Sequence, residues 1–226
     1  MIRKLSLFSL VALIAVAVAC GGGSEMESMP AADEPAVDAA PGPTTGDGTP
    51  MFEVDPFWPK PLPNNWLLGS TIGVAVDSRD HVWIVHRGNL GANEMPAALD
   101  PPFAEECCFP APPILEFDPE GNLVGHWGGP GEGYDWPDSN HGIAVDSMDN
   151  VWIGGNGGAD SHVLKFTRAG EFLLQVGEHD HEGPDSLSTT RYSQVAKVRY
   201  DASSNEVYIA DGYGNRRVAV VDADTG

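Results

Sequence analysis

The sequence contains few basic residues. Only 12 Lys and Arg stand against 33 Asp and Glu, which gives a formal net charge of -21 and a pI near 4.4. Because a nucleic-acid surface needs clustered cations to meet phosphates, this shortage argues against DNA or RNA as a partner. Charged residues make up only 20% of the chain, which is too few for a coiled coil.

Long apolar runs are also scarce, and the one at residues 5–18 follows Arg3 and Lys4. It is shorter than the roughly 20 residues that span a bilayer, so it predicts an export signal over residues 1–19. Residues 17–20 resemble a bacterial lipobox, which implies lipidation of Cys20 and a membrane anchor. We therefore expect an exported lipoprotein at the outer membrane, the cell surface or the periplasm. An ordinary secretory signal is the alternative, because Ala17 stands where Leu is commoner.

Cysteine is rare, with three residues in 226. Once Cys20 carries lipid, Cys107 and Cys108 remain, and in an exported protein they form either a vicinal disulfide or two free thiols. Residues 21–50 hold no Lys or Arg and are rich in Gly, Pro, Asp and Glu. That composition predicts a disordered tether, which leaves residues 51–226 as the folded part.

An internal repeat organises the folded part. The segments GVAVDSRDHVWI (73–84), GIAVDSMDNVWI (142–153) and KVRYDASSNEVYI (197–209) each read as strand, polar turn and strand. A second strand pair follows the first two segments, and the third is followed by one further strand before the chain ends. Four short antiparallel strands per repeat predict the blades of a β-propeller, over about 71–128, 140–177 and 195–226, the last incomplete. A β-sandwich is the alternative.

These repeats resemble NHL-repeat propellers, which usually have six blades. By that resemblance the 226 residues hold about three blades, so we expect a truncated propeller whose C-terminal half is missing and which is inactive by itself. Its two rims differ: one carries tight turns, and the other carries long loops at 88–113, 128–141, 154–162 and 177–196. Long loops on a rigid scaffold are the usual place for a functional site.

Three residues on this loop rim are candidates for chemistry. Arg87 follows the second strand of the first repeat, His141 begins the second repeat, and Tyr213 lies in the loop DGYGN after the third. Taken singly, each has a plain structural explanation: a surface ion pair, a hydrogen-bonded histidine and a covering aromatic ring. His179, Asp180, His181 and Glu182 form a further metal-like cluster, for which a solvated loop is the competing interpretation.

Around these residues the chain resembles the peptidyl-α-hydroxyglycine α-amidating lyases, which are six-bladed NHL-type propellers. The resemblance covers about residues 68–226, and its main pieces are HRG (86–88), HGI (141–143) and DGYGNR (211–216). It implies a zinc lyase that cleaves a carbinolamide N–C bond and releases glyoxylate.

By the same resemblance His141 is a zinc ligand, Arg87 orients the substrate and stabilises negative charge, and Tyr213 is the base. The backbone carbonyls of Val74 and Ile143 would hold a structural calcium ion. This division of labour is chemically reasonable, because zinc lowers the pKa of a bound hydroxyl and a nearby cation offsets an oxyanion. The family's disulfide near the Tyr loop has no counterpart, since Ser193 and Gly214 stand at its positions.

Three functions remain open on the sequence. The first is a metal-dependent lyase of the amidating type, and the second is a non-catalytic NHL propeller that binds protein or glycan at the cell envelope. The third is a lactonase-like propeller hydrolase. Fold alone does not decide among them.

Overall fold

A computed structural model describes residues 44–88, 108–180 and 183–226. The described residues contain strands, turns and loops and no helix, so the predicted all-β class is confirmed. Cys20 and Cys107 lie outside the described residues, and the lipid anchor stays a prediction.

None of the described segments contains a helix with the length and apolar character needed to cross a membrane.

The chain divides into two units, Met1–Glu53 and Val54–Gly226. In the described part of the first unit, residues 44–53, an antiparallel bridge joins Thr44 to Pro50. The second unit carries the repeats and all the candidate site residues that the structure describes.

Antiparallel sheets in the second unit form three consecutive propeller blades. The first blade has the strand order β2-β3-β5-β6, the second β7-β8-β9-β10 and the third β11-β12-β13. A short parallel pair joins β1, which precedes the first blade, to β4, which lies in the connection between β3 and β5. The strands are β1 (Trp66–Leu67), β2 (Thr71–Val76), β3 (Val82–His86), β4 (Phe109–Pro110), β5 (Ile114–Phe117), β6 (Leu123–Trp127), β7 (Asn140–Val145), β8 (Val151–Gly155), β9 (His162–Phe166), β10 (Phe172–Gly177), β11 (Lys197–Asp201), β12 (Glu206–Asp211) and β13 (Arg217–Asp222).

The core lies between successive blades. Trp83 and Val85 of the first blade pack with Ile143, Ile153 and Phe166 of the second, and all five are fully buried. A second cluster joins the next two blades and contains Trp152, Val163, Val198, Val207 and Ile209. The sheets are thus held face to face by the β-branched and aromatic residues that define the repeat.

Four tight turns close one rim with a shared hydrogen-bond pattern. In each, the first residue donates its backbone N–H to the carbonyl four residues later. Asp77 and Asp146 also accept two backbone N–H groups of their own turn and the indole N–H of Trp83 or Trp152. The Asp-to-Trp spacing of the repeat therefore fixes the turn and the core ring together. The four turns begin at Asp77, Asp118, Asp146 and Thr167.

The innermost strands of the blades, β2, β7 and β11, pack side by side. Gly142 makes the approach of β7 to β11 possible, because its φ is +79° and an added Cβ would lie 3.0 Å from the Cα of Lys197. At the ends away from the tight turns, these strands connect to the long loops. The long loops of neighbouring blades therefore meet at one rim.

Candidate functional site

His141 is the second residue of the inner strand β7 and is held in one orientation by the neighbouring blade. Its Nδ1 lies 2.5 Å from the carbonyl oxygen of Ala196. A carbonyl only accepts, so Nδ1 must carry the proton and the neutral ring keeps its lone pair on Nε2. Histidines that bind metals are typically oriented in this way by a backbone carbonyl.

Tyr213 lies beside His141, with the two rings edge to face and their centroids 5.9 Å apart. The Tyr213 side chain is exposed, while the loop that carries it is firmly braced. The buried carboxylate of Asp211 accepts hydrogen bonds from the Ser193 N–H, the Asn215 amide and the Arg217 Nε. These contacts place the phenol at the loop rim on a rigid support.

Arg87 follows β3 and reaches across to the second blade. Its Nη2 donates to Oδ1 of Asn156 at 3.0 Å, and its backbone N–H donates to Ser70. The Nε of Arg87 is buried and has no hydrogen-bond partner among the described residues. A buried guanidinium N–H that lacks a partner is costly, and an anionic group bound at this rim would supply one.

The structure brings these candidates to one rim but does not place them all in contact. His141 and Tyr213 touch, whereas Arg87 is linked to them through Asn156, whose carbonyl accepts from Gln194 at 3.1 Å. Gln194 precedes Ala196, the residue that holds His141, by two positions. The Asn140 side chain adds a second link because it donates to the carbonyl of His86.

Asn156 and Gln194 are site residues that the sequence prediction missed. The repeat did contain a signal for Asn156, because it occupies in the second repeat the position that Arg87 occupies in the first. Gln194 has no such marker, and its φ of 60° is visible only in the structure.

A mainly apolar cavity of about 360 Å³ lies between the first two blades at the same rim. Its lining includes Gly88 and Asn140, the neighbours of Arg87 and His141, together with Trp136, Pro137 and Asp138. The volume falls in the range of small-molecule sites. The cavity is thus lined by the sequence neighbours of Arg87 and His141, while those two residues are not part of its lining.

A lysine lies at the two carbonyls for which the resemblance implies calcium. The carbonyl oxygens of Val74 and Ile143 both accept from Lys197, at 3.5 and 3.3 Å from its Nζ. Burial lowers the pKa of Lys197, and the nearby charge of Arg199 adds to that effect. The carbonyls expected to hold calcium therefore face a lysine ammonium.

Two clusters in the described part of the chain have metal-like composition, and neither includes His141. In the first, Asp77, His81 and Glu116 surround Arg168, which bonds all three. The guanidinium also lies 5.1 Å from the centre of the Trp83 ring. This cluster is an ion-pair network that joins two blades on the tight-turn rim.

The second cluster combines Asp138, Asp160 and His179 on the loop rim. The buried Asp160 carboxylate already accepts the backbone N–H groups of Asp138, Ser139 and Gly157. It therefore fastens two loops together. Of the acidic and histidine run predicted as a possible ligand set, His179 lies near Asp138, at 3.9 Å, while His181 and Glu182 lie outside the described residues.

Ser193 and Gly214, the positions at which the resemblance described above would place a disulfide, are in contact. The Gly214 N–H donates to the Ser193 carbonyl at 3.0 Å, and a Cβ at position 214 would overlap the Ser193 side chain. Hydrogen bonds thus hold the base of the Tyr213 loop here. Cys108 is disulfide-bonded, and Cys107, its predicted partner, lies outside the described residues.

No protein-family model matches the chain, and no curated protein matches it.

The chain is only weakly similar to solved structures. A protein of unknown function from Bacteroides thetaiotaomicron is 15% identical, with a TM-score of 0.37, and the match covers 68% of this chain and 48% of that one. A gluconolactonase from Xanthomonas campestris is 12% identical, with a TM-score of 0.29, and the match covers 78% and 63%. This chain thus spans less than two thirds of either protein. At these values the likeness assigns neither a family nor an activity.

Proposed function

We propose that the loop rim carries a metal-assisted enzyme centre of the amidating-lyase type, in which His141 is a metal ligand. The observation that carries the proposal is the contact of His141 Nδ1 with the Ala196 carbonyl. It leaves Nε2 with a lone pair, and no described residue occupies that atom with a hydrogen bond. A zinc ion bound there would act as a Lewis acid toward a substrate hydroxyl.

Tyr213 and Arg87 have separate parts in this proposal. Tyr213, next to the His141 ring, would act in its phenolate form and accept the hydroxyl proton of a carbinolamide. The Arg87 guanidinium, whose Nε lacks a partner, would bind the carboxylate of the substrate and offset negative charge. Cleavage of the N–C bond then yields an amide and glyoxylate, with the proton from the hydroxyl passing to the departing nitrogen.

Zinc binding to the 226-residue chain tests the ligand assignment. We expect His141→Ala to weaken the zinc affinity measured by calorimetry by about tenfold or more. His126→Ala is the matched control, because His126 is an exposed imidazole on β6, the strand of the first blade farthest from β2, where its ring meets Trp66 edge to face. Equal zinc affinity in wild type and His141→Ala would contradict the assignment.

The reaction itself is tested on the natural protein at its full length. With zinc bound, glyoxylate should be released from a peptide that ends in α-hydroxyglycine, and Tyr213→Phe and Arg87→Ala should lose at least about 100-fold in rate. Zinc binding without glyoxylate release would reject the lyase and leave a different metal-assisted reaction, such as lactone hydrolysis. A chain that neither binds zinc nor releases glyoxylate would fit a binding module for protein or glycan.

A further inference from the structure

We propose that the ammonium group of Lys197 is the built-in cation of the propeller axis, and that it replaces a calcium ion at the carbonyls of Val74 and Ile143. The contact on which this rests is direct, since Nζ lies 3.5 and 3.3 Å from the two carbonyl oxygens. The proposal concerns stability and ion binding, and it is independent of the chemistry at the loop rim.

The inner edges of the blades present carbonyl oxygens that a cation would stabilise. Strands β2, β7 and β11 each lie at the end of their sheet, so one side of each strand has no neighbouring strand within its sheet. Along such an edge, carbonyl oxygens point away from the sheet without a ladder partner. Because the three strands pack side by side, these partial negative charges converge on the axis.

Of the three residues at this position of the repeat, Lys197 is the one whose side chain can supply a cation. The equivalent residues in the first two repeats are Gly73 and Gly142, which have no side chain. The lysine side chain extends instead into a cavity of about 250 Å³ that Val74, Ile143 and Val198 help to line. One residue of the third repeat thus serves the carbonyls of the other two.

A lysine ammonium and a calcium ion exclude one another at this place. Calcium takes six to eight oxygen ligands, usually with several carboxylates among them. Among the described residues the partners of Nζ are two neutral carbonyls, and Arg199 adds a second positive charge to the cavity lining. A divalent ion at the same oxygens would lie within a few ångströms of the ammonium and would be repelled by it.

Thermal unfolding of the 226-residue chain tests the proposal. We expect the wild-type Tm to be the same in calcium chloride and in EDTA. Lys197→Met should lower the Tm in EDTA by about 3 °C, because the carbonyls lose their cation, and millimolar calcium chloride should restore it. Lys60→Met is the matched control, since Lys60 binds Asn122 on the exposed surface, and its Tm should not respond to calcium.

Two results would overturn the proposal. One is a wild-type Tm that rises with calcium, which would show that the axis takes the metal despite Lys197. The other is a Lys197→Met protein that unfolds like wild type in EDTA. If the variant does not fold, Lys197→Arg decides: the guanidinium keeps the positive charge, so the Tm of this variant should not respond to calcium, and a Tm that rises with calcium would overturn the proposal.

Discussion

Arg168 lies among Asp77, His81 and Glu116, three side chains whose ligand atoms are close enough to suit a metal ion. Its guanidinium donates to Asp77 at 2.7 Å and to Glu116. The carboxylates are almost completely buried, so their charge needs a partner inside the protein. Arg168 therefore joins three side chains that could bind a metal into an ion-pair network that links two blades.

We expect Arg168→Ala to lower the free energy of unfolding by about 3 kcal/mol, because it removes the arginine that bonds the buried carboxylates of both Asp77 and Glu116. Arg79→Ala is the control. Arg79 pairs with Asp149 at 2.8 Å and lies 3.9 Å from Asp77, but its side chain is 48% exposed, so the loss should stay below about 1 kcal/mol. Urea unfolding measures both variants, and equal losses would contradict the burial argument.

Gly142 is the residue on which the packing of β7 against β11 depends. It has a positive φ, and the neighbouring strand leaves no room for a side chain, since Ala196 O and the Lys197 Cα lie 3.2 and 3.0 Å from an added Cβ. The same contact surface holds His141 on the Ala196 carbonyl. The strand that orients the candidate ligand is thus also the strand that Gly142 lets approach β11 closely.

Gly142→Ala should lower the free energy of unfolding by about 1–3 kcal/mol, the usual cost of a strained backbone position. Zinc affinity should fall with it, because β7 must move away from β11. Gly158→Ala is a suitable control: nothing lies within 4 Å of its added Cβ, and the change should be neutral or stabilising by less than about 1 kcal/mol. A tolerated Gly142→Ala would show that the strands separate without cost.

Across the whole molecule, two buried histidines make the fold sensitive to mild acid. Burial lowers the pKa of His86 and of His162, because it disfavours the charged ring. In His86 the hydrogen bonds also fix the neutral form: Nε2 donates to the Pro112 carbonyl, and Nδ1 accepts from the Gly69 N–H. A proton on Nδ1 would face that N–H and break the contact.

Stability should therefore be highest above pH 6.5, the ordinary histidine value, and fall as the pH drops below it. The unfolded chain binds protons there while the folded chain does not, with a slope of at most about 1.4 kcal/mol per pH unit for each histidine. The urea midpoint, followed from pH 7.5 to 5.5 at constant salt, should decline, and His86→Gln should flatten the curve. His126→Gln, an exposed-histidine control, should leave the curve unchanged.

Much of the architecture follows from the sequence because its causes are local. The alternation of residues 73–84 and 142–153 sets strand faces, and the aspartate six residues before each tryptophan fixes a turn and its core ring. Likewise, the loop rim with Arg87, His141 and Tyr213 follows from strand order alone. The partners of these residues do not, because Asn156 meets Arg87, and Gln194 meets Asn156, only once neighbouring blades have packed.

The sequence by itself determined the all-β class, the repeated blades, the acidic composition that disfavours nucleic acid, and the rim on which chemistry should be sought. Only the tertiary structure shows that Lys197 meets the carbonyls of Val74 and Ile143, and that Arg168 lies within the metal-like cluster. Lys197 and Val74 are 123 positions apart, and Arg168 and Asp77 are 91 apart. Strand pattern is encoded over a few neighbouring residues, whereas the charge that balances a buried carbonyl or carboxylate comes from whichever blade packs against it.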